Sequence, residues 1–569
     1  MPQTNDPSGF GAKSARQFGA PASGAARTVE KAALVQDGAS RGASPSQTIV
    51  VKGFKFVKIG ERAADKSNLL DADLSSVLEA TARNFLSVPS EGYFQHQVAL
   101  AKLDELALVL ARKYREHRRV IAPVFLLGEQ DVTQGIITFQ IVEGRLESLS
   151  VADKDGDGFS IPEFRVEYAN NVLRFHAEAL KGRVLTEQEF ERTVMILEDL
   201  TGRRYSAQMY AGQTPQGVSG SLVESTQAIL PEFQANVRAD NQGSPALGQH
   251  QFSASLLWRP VQTLSADQFY LSYMTSETAL VSAFALGYEI PVGNSGLRAG
   301  LRGSLVKYEL GGAFTATLAT GTADSASAYL AYPLIRTLTA SLDSTLTLSR
   351  ASLEDRNTST INPRDLNTLS LEFRGAMKDD SGGQTSAALG VTLGNLSFAT
   401  SAQKAADTLG LQGGSLMFFY ELSHARRLGE QGDITLMLRG QSAQANLDSY
   451  QKMSVGGING VRAFAPTENN GDDAFLARLE IGRSFSMWSL EHRLAVFYDQ
   501  AKVAINHAPT SASSNDVTLA GYGIQLQSRS PLGISSRLYW ANPSSNSTRS
   551  ESSVDGRSAR IGFDLAYTF

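Results

Sequence analysis

The feature that most constrains this chain is the alternation that begins near Pro231 and runs to Phe569. Short runs of apolar and polar residues with period two are separated by Gly, Asn, Asp, Ser and Pro, the pattern of half-buried strands. Leu338, Ala340, Leu342, Ser344, Leu346 and Leu348 alternate with Thr339, Ser341, Asp343, Thr345 and Thr347. The last run sets Ile561, Phe563, Leu565, Tyr567 and Phe569 on one face against Gly562, Asp564, Ala566 and Thr568. Sixteen runs begin near residues 232, 250, 267, 280, 296, 324, 336, 366, 385, 414, 433, 474, 488, 518, 532 and 558. An even number of such strands is the mark of an outer-membrane barrel. No stretch of about 18 apolar residues occurs, so a membrane-spanning chain of this kind must be a closed barrel rather than a helix.

Charge placement tests that reading, because a charge facing lipid at mid-depth costs roughly 2–4 kcal/mol. Glu289, Arg298, Arg302, Glu372, Arg374, Glu421, Arg439, Arg478, Glu480, Arg493, Asp499, Arg537 and Asp564 all fall on the less apolar parity of their runs. Lys307, Arg336 and His492 do not, and lie near proposed strand ends. The expected fold is therefore a 16-stranded transmembrane antiparallel β-barrel over residues 230–569 with a wet lumen charged with both signs. A soluble sandwich would also tolerate charges on an outer face; the aromatic strand ending in Phe569 argues against it.

Composition narrows the function. The chain has no Cys, so thiolate metal sites and disulfides are excluded. A net charge of −5 over 569 residues does not suit a general nucleic-acid binder. Seven His residues form no paired motif, and no Ser-His-Asp set suggests itself, so no enzyme, cofactor or metal is expected. Gly38-Ala-Ser-Arg-Gly42 matches a nucleophile elbow but lacks the flanking strand and helix. Asp153-Lys-Asp-Gly-Asp-Gly-Phe-Ser-Ile-Pro-Glu-Phe164 nearly spells a calcium loop, yet Phe164 stands where the bidentate Glu belongs. An acidic turn is the simpler reading, and calcium binding stays open.

Before the barrel the period changes. Residues 1–47 are rich in Gly, Ala and Ser and read as linker, with room for a short plug helix around 27–36 and no apolar leader after Met1. Residues 48–151 read as β-α-α-β-β, with Leu100, Leu103, Leu106, Leu110 and Tyr114 on one helix face. A second such module is expected over 160–228, with Phe164–Val166 as its first strand and helices at 171–180 and 187–200.

The most unusual loop is Ser454-Val-Gly-Gly-Ile-Asn-Gly-Val-Arg-Ala-Phe464, followed by Gly471-Asp472-Asp473. It lies in about thirty residues between runs eleven and twelve, far longer than ordinary hairpin loops. Gly456, Gly457 and Gly460 flank Val461-Arg462-Ala463-Phe464, and one arginine among flexible glycines suggests an inward-folded loop held by an acidic residue of the wall. Asp499, in Val496-Phe-Tyr-Asp-Gln500, is on the inward parity two runs later.

These residues resemble the two-partner secretion transporters, the TpsB family of haemolysin secretion/activation type. The run from Leu126 to Arg145, with Gln130, Gly135 and Val142-Glu143-Gly144, is similar to the end of that family's first POTRA domain. Val461-Arg462-Ala463-Phe464 is similar to its Val-Arg-Gly-aromatic loop motif, Asp499 to its lumen-facing Asp on strand thirteen, and Tyr332-Pro-Leu-Ile-Arg336 to its turn before strand seven. Ala463 replaces the motif Gly and restricts positive φ, so a differently turned loop tip is expected. The resemblance implies an Arg462–Asp499 salt bridge and a barrel-assembly signal at Phe563, Tyr567 and Phe569. It implies an integral outer-membrane protein with periplasmic POTRA domains that exports an unfolded adhesin- or haemolysin-like exoprotein. Its other partners would be the barrel-assembly machinery and outer-membrane lipid. A barrel-assembly insertase of the same superfamily is the alternative, and two modules rather than its usual five favour secretion.

Overall fold

The structure is a computed structural model. It describes residues 35–37, 48–59, 72–118, 120, 122, 124–127, 130–214, 217–228, 232–260, 266–466, 469–510, 515–544 and 559–569. The Gly38–Gly42 match and most of the expected linker and plug helix lie outside these residues. Within that stretch, β1 (Val35–Asp37) is a strand, where the helix expected around 27–36 should have continued.

The first unit holds β2 (Thr48–Val51), β3 (Gly53–Ile59), α1 (Ala72–Phe85), β4 (His96–Ala99), α2 (Leu100–Arg118), β5 (Val124–Leu126) and β6 (Ile136–Val142). Its main sheet runs β3-β6-β5, and β2 pairs with β4. Leu103, Leu106, Leu110 and Tyr114 of α2 are fully buried, the stripe that helical spacing requires. Gln130 explains itself: its Oε1 accepts from the Thr138 amide at 2.6 Å and its Nε2 donates to the Leu127 carbonyl at 2.8 Å, bracing the β5–β6 turn.

The second unit holds β7 (Arg145–Val151), α3 (Glu163–Glu178), α4 (Glu187–Thr201), β8 (Arg203–Ala211) and β9 (Gly217–Ala228), with sheet order β1-β8-β9-β7. Two expectations are corrected here. Phe164–Val166 begins a helix, since Pro162 at φ −54 sits at its N-cap, where a missing amide proton costs nothing. The strand expected there is instead β7, parallel to β9, so the units divide between Val142 and Arg145, not after Val151. The strand β1 adds in parallel to β8 and supplies main-chain partners to an otherwise open edge.

The barrel strands are β10 (Phe233–Asp240), β11 (Gln251–Trp258), β12 (Gln268–Ser276), β13 (Val281–Pro291), β14 (Arg298–Glu309), β15 (Thr320–Arg336), β16 (Ala340–Arg356) and β17 (Ile361–Lys378). They continue with β18 (Gln384–Phe398), β19 (Gly413–Leu428), β20 (Gly432–Ala443), β21 (Asp473–Met487), β22 (Leu490–Ala504), β23 (Asp516–Arg529), β24 (Ile534–Pro543) and β25 (Arg560–Thr568). Each pairs antiparallel with its neighbour in sequence, and β10 closes on β25 with Val237 opposite Tyr567. The Ala235 amide donates to the Phe569 carbonyl at 2.8 Å, and the Phe569 amide returns the bond at 3.0 Å. All sixteen expected runs are present as strands.

The wet lumen needs a correction. Val306, Tyr308, Leu353, Leu366 and Tyr450 belong to one buried apolar cluster inside the barrel, and Val455, Val461, Phe464, Leu476 and Phe497 to another. Period-two parity located the inward face but not the loops that fill it.

The second unit docks on one rim of the barrel. Arg192 of α4 donates to the Leu334 and Pro333 carbonyls at 2.8 and 3.0 Å, and Asp199 accepts from Arg336 at 2.8 Å. Arg336 also pairs with Asp343 at 2.6 Å, which accounts for a charge on the wrong parity. His176 meets the Asn294 carbonyl at 2.8 Å, and burial holds its imidazole below the ordinary histidine pKa.

The docking helix α4 starts with a reciprocal cap. The Thr186 hydroxyl accepts from the Glu189 amide, and the Glu189 carboxylate accepts from the Thr186 amide, both at 3.2 Å. Thr186→Ala is expected to cost about 1 kcal/mol, read as lost hydrogen-exchange protection in the first turn of α4 with barrel amides unchanged. Unchanged protection at residues 187–190 would contradict this.

Candidate functional site

Of the 29 residues between β20 and β21, those described, 444–466 and 469–472, fold into the barrel rather than away from it. The stem is zipped by Met453 and Gly471, whose amides donate to each other's carbonyls at 2.8 and 3.0 Å. Beyond it the chain reverses: the Gly457 amide donates to the Phe464 carbonyl at 3.0 Å and the Val461 amide to the Val455 carbonyl at 2.7 Å. Gly457 has φ +76, and a Cβ there would sit 2.8 Å from Pro466, so this turn demands glycine. Gly456 bridges Val461, and Gly460 donates to Gly457 at 3.0 Å.

This turn carries Arg462 into the wall. Its Nε and Nη2 donate to the two Asp499 carboxylate oxygens at 2.8 and 2.7 Å, and its own amide donates to Asp499 at 3.1 Å. Nη1 reaches Glu480 at 2.7 Å and Gln525 at 3.2 Å. The guanidinium lies 3.4 Å over the Phe497 ring. Arg462 and Asp499 are both 0 % exposed. The expected pair is thus present, as one part of a wider network. Arg478 lies 3.4 Å from Asp499, and Arg493 pairs with Glu480 at 2.9 Å and Asp433 at 2.6 Å. Three guanidinium groups face three carboxylates, so the charge closes locally. Burial pulls the Arg462 pKa down, but Asp499 and Glu480 more than offset it and hold the value above the ordinary arginine range.

Position alone did not assign Glu480, Gln525, Arg478 and Arg493 to Arg462. The signal was available for three of them: Arg478, Glu480 and Arg493 share inward parity, and register sets Arg478 directly opposite Asp499.

Ala463 does not adopt positive φ. Among the described residues, the non-glycine positions with positive φ are six others. Its methyl is accommodated across the lumen wall, where a Cβ on Gly521 would lie 2.7 Å from the Ala463 Cβ. Phe464 is fully buried among Leu476, Leu519 and Tyr539, and Arg560 donates to its carbonyl at 2.8 Å. Asp472 is buried, accepts from the His507 amide at 2.9 Å, and lies 3.2 Å from Lys452. Its burial raises its pKa, with Lys452 opposing.

Phe563, Tyr567 and Phe569 are not part of this cluster: they are exposed on the outer face of β25 and just beyond it. In the acidic turn, Asp155 accepts from the amides of Asp157 and Phe159 at 3.1 and 2.9 Å, so it is occupied by the turn itself. Among the described residues no group of three metal-ligating side chains forms.

The Ala463–Gly521 contact predicts a compensating pair. Gly521→Ala should unseat the loop tip and speed its cleavage by trypsin, and adding Ala463→Gly should restore resistance. Equal resistance of all three chains would remove the steric argument.

A family model described as haemolysin secretion/activation protein ShlB/FhaC/HecB matches residues 220–528. The heme/hemopexin transporter protein HuxB of Haemophilus influenzae is 24% identical over 465 residues, covering 80% of this chain and 77% of HuxB. The outer membrane transporter CdiB of Dickeya dadantii is 22% identical over 208 residues, 36% of this chain and 34% of CdiB. Among solved structures, CdiB from Escherichia coli covers 97% of this chain and 95% of its own at TM-score 0.61 and 17% identity. BamA from Haemophilus ducreyi lacking POTRA domains 1–3 covers 91% of this chain and all of its own at TM-score 0.53 and 14% identity, a likeness of fold alone. With the family model spanning more than half of it, the chain belongs to the haemolysin secretion/activation protein ShlB/FhaC/HecB family and is a two-partner secretion transporter, an integral outer-membrane β-barrel with its POTRA region in the periplasm.

Proposed function

We propose that the loop carrying Arg462 is the gate of this transporter and that the Arg462–Asp499 pair seats it. The observation that carries the reading is a fully buried guanidinium on a loop, bound through Nε and Nη2 to both oxygens of a fully buried carboxylate of the wall. A loop charge with no functional tie would remain in water, where it needs no partner. Taking one partner away removes the two-pronged bond and unbalances the cluster by one charge, leaving Arg462 with Glu480 alone or Asp499 with Arg478 alone, which is costly in a buried position.

In this reading the two N-terminal units receive an unfolded exoprotein in the periplasm. An extended segment adds to an open sheet edge through main-chain hydrogen bonds, with side-chain pockets giving specificity. The exoprotein then threads the barrel as the loop moves, and its folding outside supplies direction. The activity is transport without a catalytic step. The aromatic strand ending in Phe563, Tyr567 and Phe569 is read by the barrel-assembly machinery during biogenesis. The adhesin- or haemolysin-like character of the cargo rests on the family resemblance.

Arg462→Ala and Asp499→Ala are each expected to lower exoprotein secretion to a similar extent, and the double variant to do no further damage. Losses that add strictly in the double variant would argue against a direct pair. Removing Phe569 should lower the amount of assembled, heat-modifiable barrel, and normal assembly would dismiss it as a signal.

A further inference from the structure

A second buried ion pair holds the same loop at a different place. Asp448, in the limb that leaves β20, accepts from Arg364 Nε at 2.5 Å and Nη2 at 3.3 Å. The two side chains are 2% and 3% exposed. Arg364 is on β17, and its Nη1 also reaches Asp355 of β16 at 2.6 Å. Asp355 accepts in turn from the Tyr308 hydroxyl at 2.6 Å. The chain around Asp448 is buried with it: Leu447 packs on Met417 and Ala443, and Tyr450 enters the apolar cluster with Leu353 and Leu366. Asn446 donates to the carbonyls of Leu409 and Ala508, in the loops after β18 and β22, at 2.7 and 2.9 Å.

The position matters more than the pairing. The loop leaves the wall at β20 and β21, yet Asp448 reaches β17, three strands back, while Arg462 reaches β21, β22 and β23. A limb pinned on β17 and a tip pinned on β22 span the lumen end that lies away from the docked second unit. We propose that Arg364 and Asp448, supported by Asp355, form a second anchor that holds the loop across the outer mouth of the barrel and keeps the resting pore shut. This rests on the reading of the loop as the gate, and assigns it an attachment five strands round the wall from Asp499.

The charge count selects the variants. Arg364 serves two carboxylates, so removing it takes the cation from the buried Asp448 and from the half-buried Asp355 at once. Removing the Asp448 charge leaves Arg364 paired with Asp355. Asp448→Asn is therefore the variant that weakens the anchor with least damage to the barrel, and Arg364→Lys removes the two-pronged geometry while keeping the charge.

The test is the frequency of open events of the purified full chain in planar bilayers, with heat-modifiable gel mobility as the check that each barrel is folded. Asp448→Asn and Arg364→Lys should each raise the open frequency about tenfold, equivalent to ~1.4 kcal/mol, and Arg462→Ala combined with Asp448→Asn should multiply the single effects. The chain has no Cys, so Arg364→Cys with Asp448→Cys adds a second arm: this chain should be leaky, and a short bis-maleimide should return it to parental silence. Parental silence of Asp448→Asn beside a leaky Arg462→Ala overturns the second anchor and leaves the gate intact. So does a crosslinked chain that stays as open as before crosslinking. Silence of Arg462→Ala as well defeats the gate reading itself, and the anchor with it.

Discussion

A buried guanidinium is the constraint on which the inside of this barrel depends. Arg462 has no exposed surface, and a charge in that position is tolerable only if its donors are met by carboxylates in good geometry. Asp499, Glu480 and Gln525 come from β22, β21 and β23, three successive strands. Their side chains converge only if the register of all three is right, because a one-residue slip would turn every one of them outward. Seating the loop and fixing the register of that wall are thus one physical event. The further pairing of Arg478 and Arg493 balances the cluster, so no carboxylate is left buried beside a single overcommitted cation.

The lumen is divided by chemistry more than the alternating sequence implied. Charged residues line part of it, but the loop tip brings Val455, Val461 and Phe464 into contact with Leu476, Phe497 and Leu519. The opposite limb adds Tyr450 to a second apolar cluster. A barrel whose inward strand faces carry apolar residues can keep them dry only by filling the space with something else apolar. Here the filling is the chain's own loop. Movement of the loop as proposed would expose apolar wall, a surface suited to an unfolded chain and unsuited to small polar solutes.

Most of the barrel was legible because one period repeats for more than three hundred residues, and because misplacing charge into lipid is costly enough to mark the faces. The Arg462–Asp499 pair was legible from parity and loop length together with the family resemblance. The rest was hidden for particular reasons. Glu480 and Arg364 carry no local signal that separates a site residue from any other inward charge; only register and loop path bring them to Arg462 and Asp448. The strand Val35–Asp37 is too short to show a period, and its pairing partner is the distant β8. Phe164–Val166 looked like a strand because three residues cannot distinguish a period of two from 3.6, and Pro162 decided the matter. Arg145–Val151 lies inside the stretch read as the first module yet pairs with β9 of the second, since alternation says which face a residue takes and nothing about which neighbour it joins.

The two ends of the barrel are linked through its wall. The second unit grips the rim at Asn294, Pro333, Leu334 and Arg336, at the lower ends of β13 to β16. The far ends of β14, β16 and β17 carry Tyr308, Asp355 and Arg364, a chain of contacts in which Tyr308 donates to Asp355, Arg364 pairs with Asp355, and Arg364 holds Asp448. Between them β14, β15, β16 and β17 run as one continuously hydrogen-bonded sheet, interrupted by a single bulge between Pro333 and Ile335. A sheet of this length cannot shift register piecemeal, since each slipped residue reverses a face. Displacement at the docking rim must therefore be taken up either by that bulge or by tilting the hairpins as bodies. The bulge lies at the residues that Arg192 holds, so the one break in the register of these four strands sits at the rim where the second unit docks.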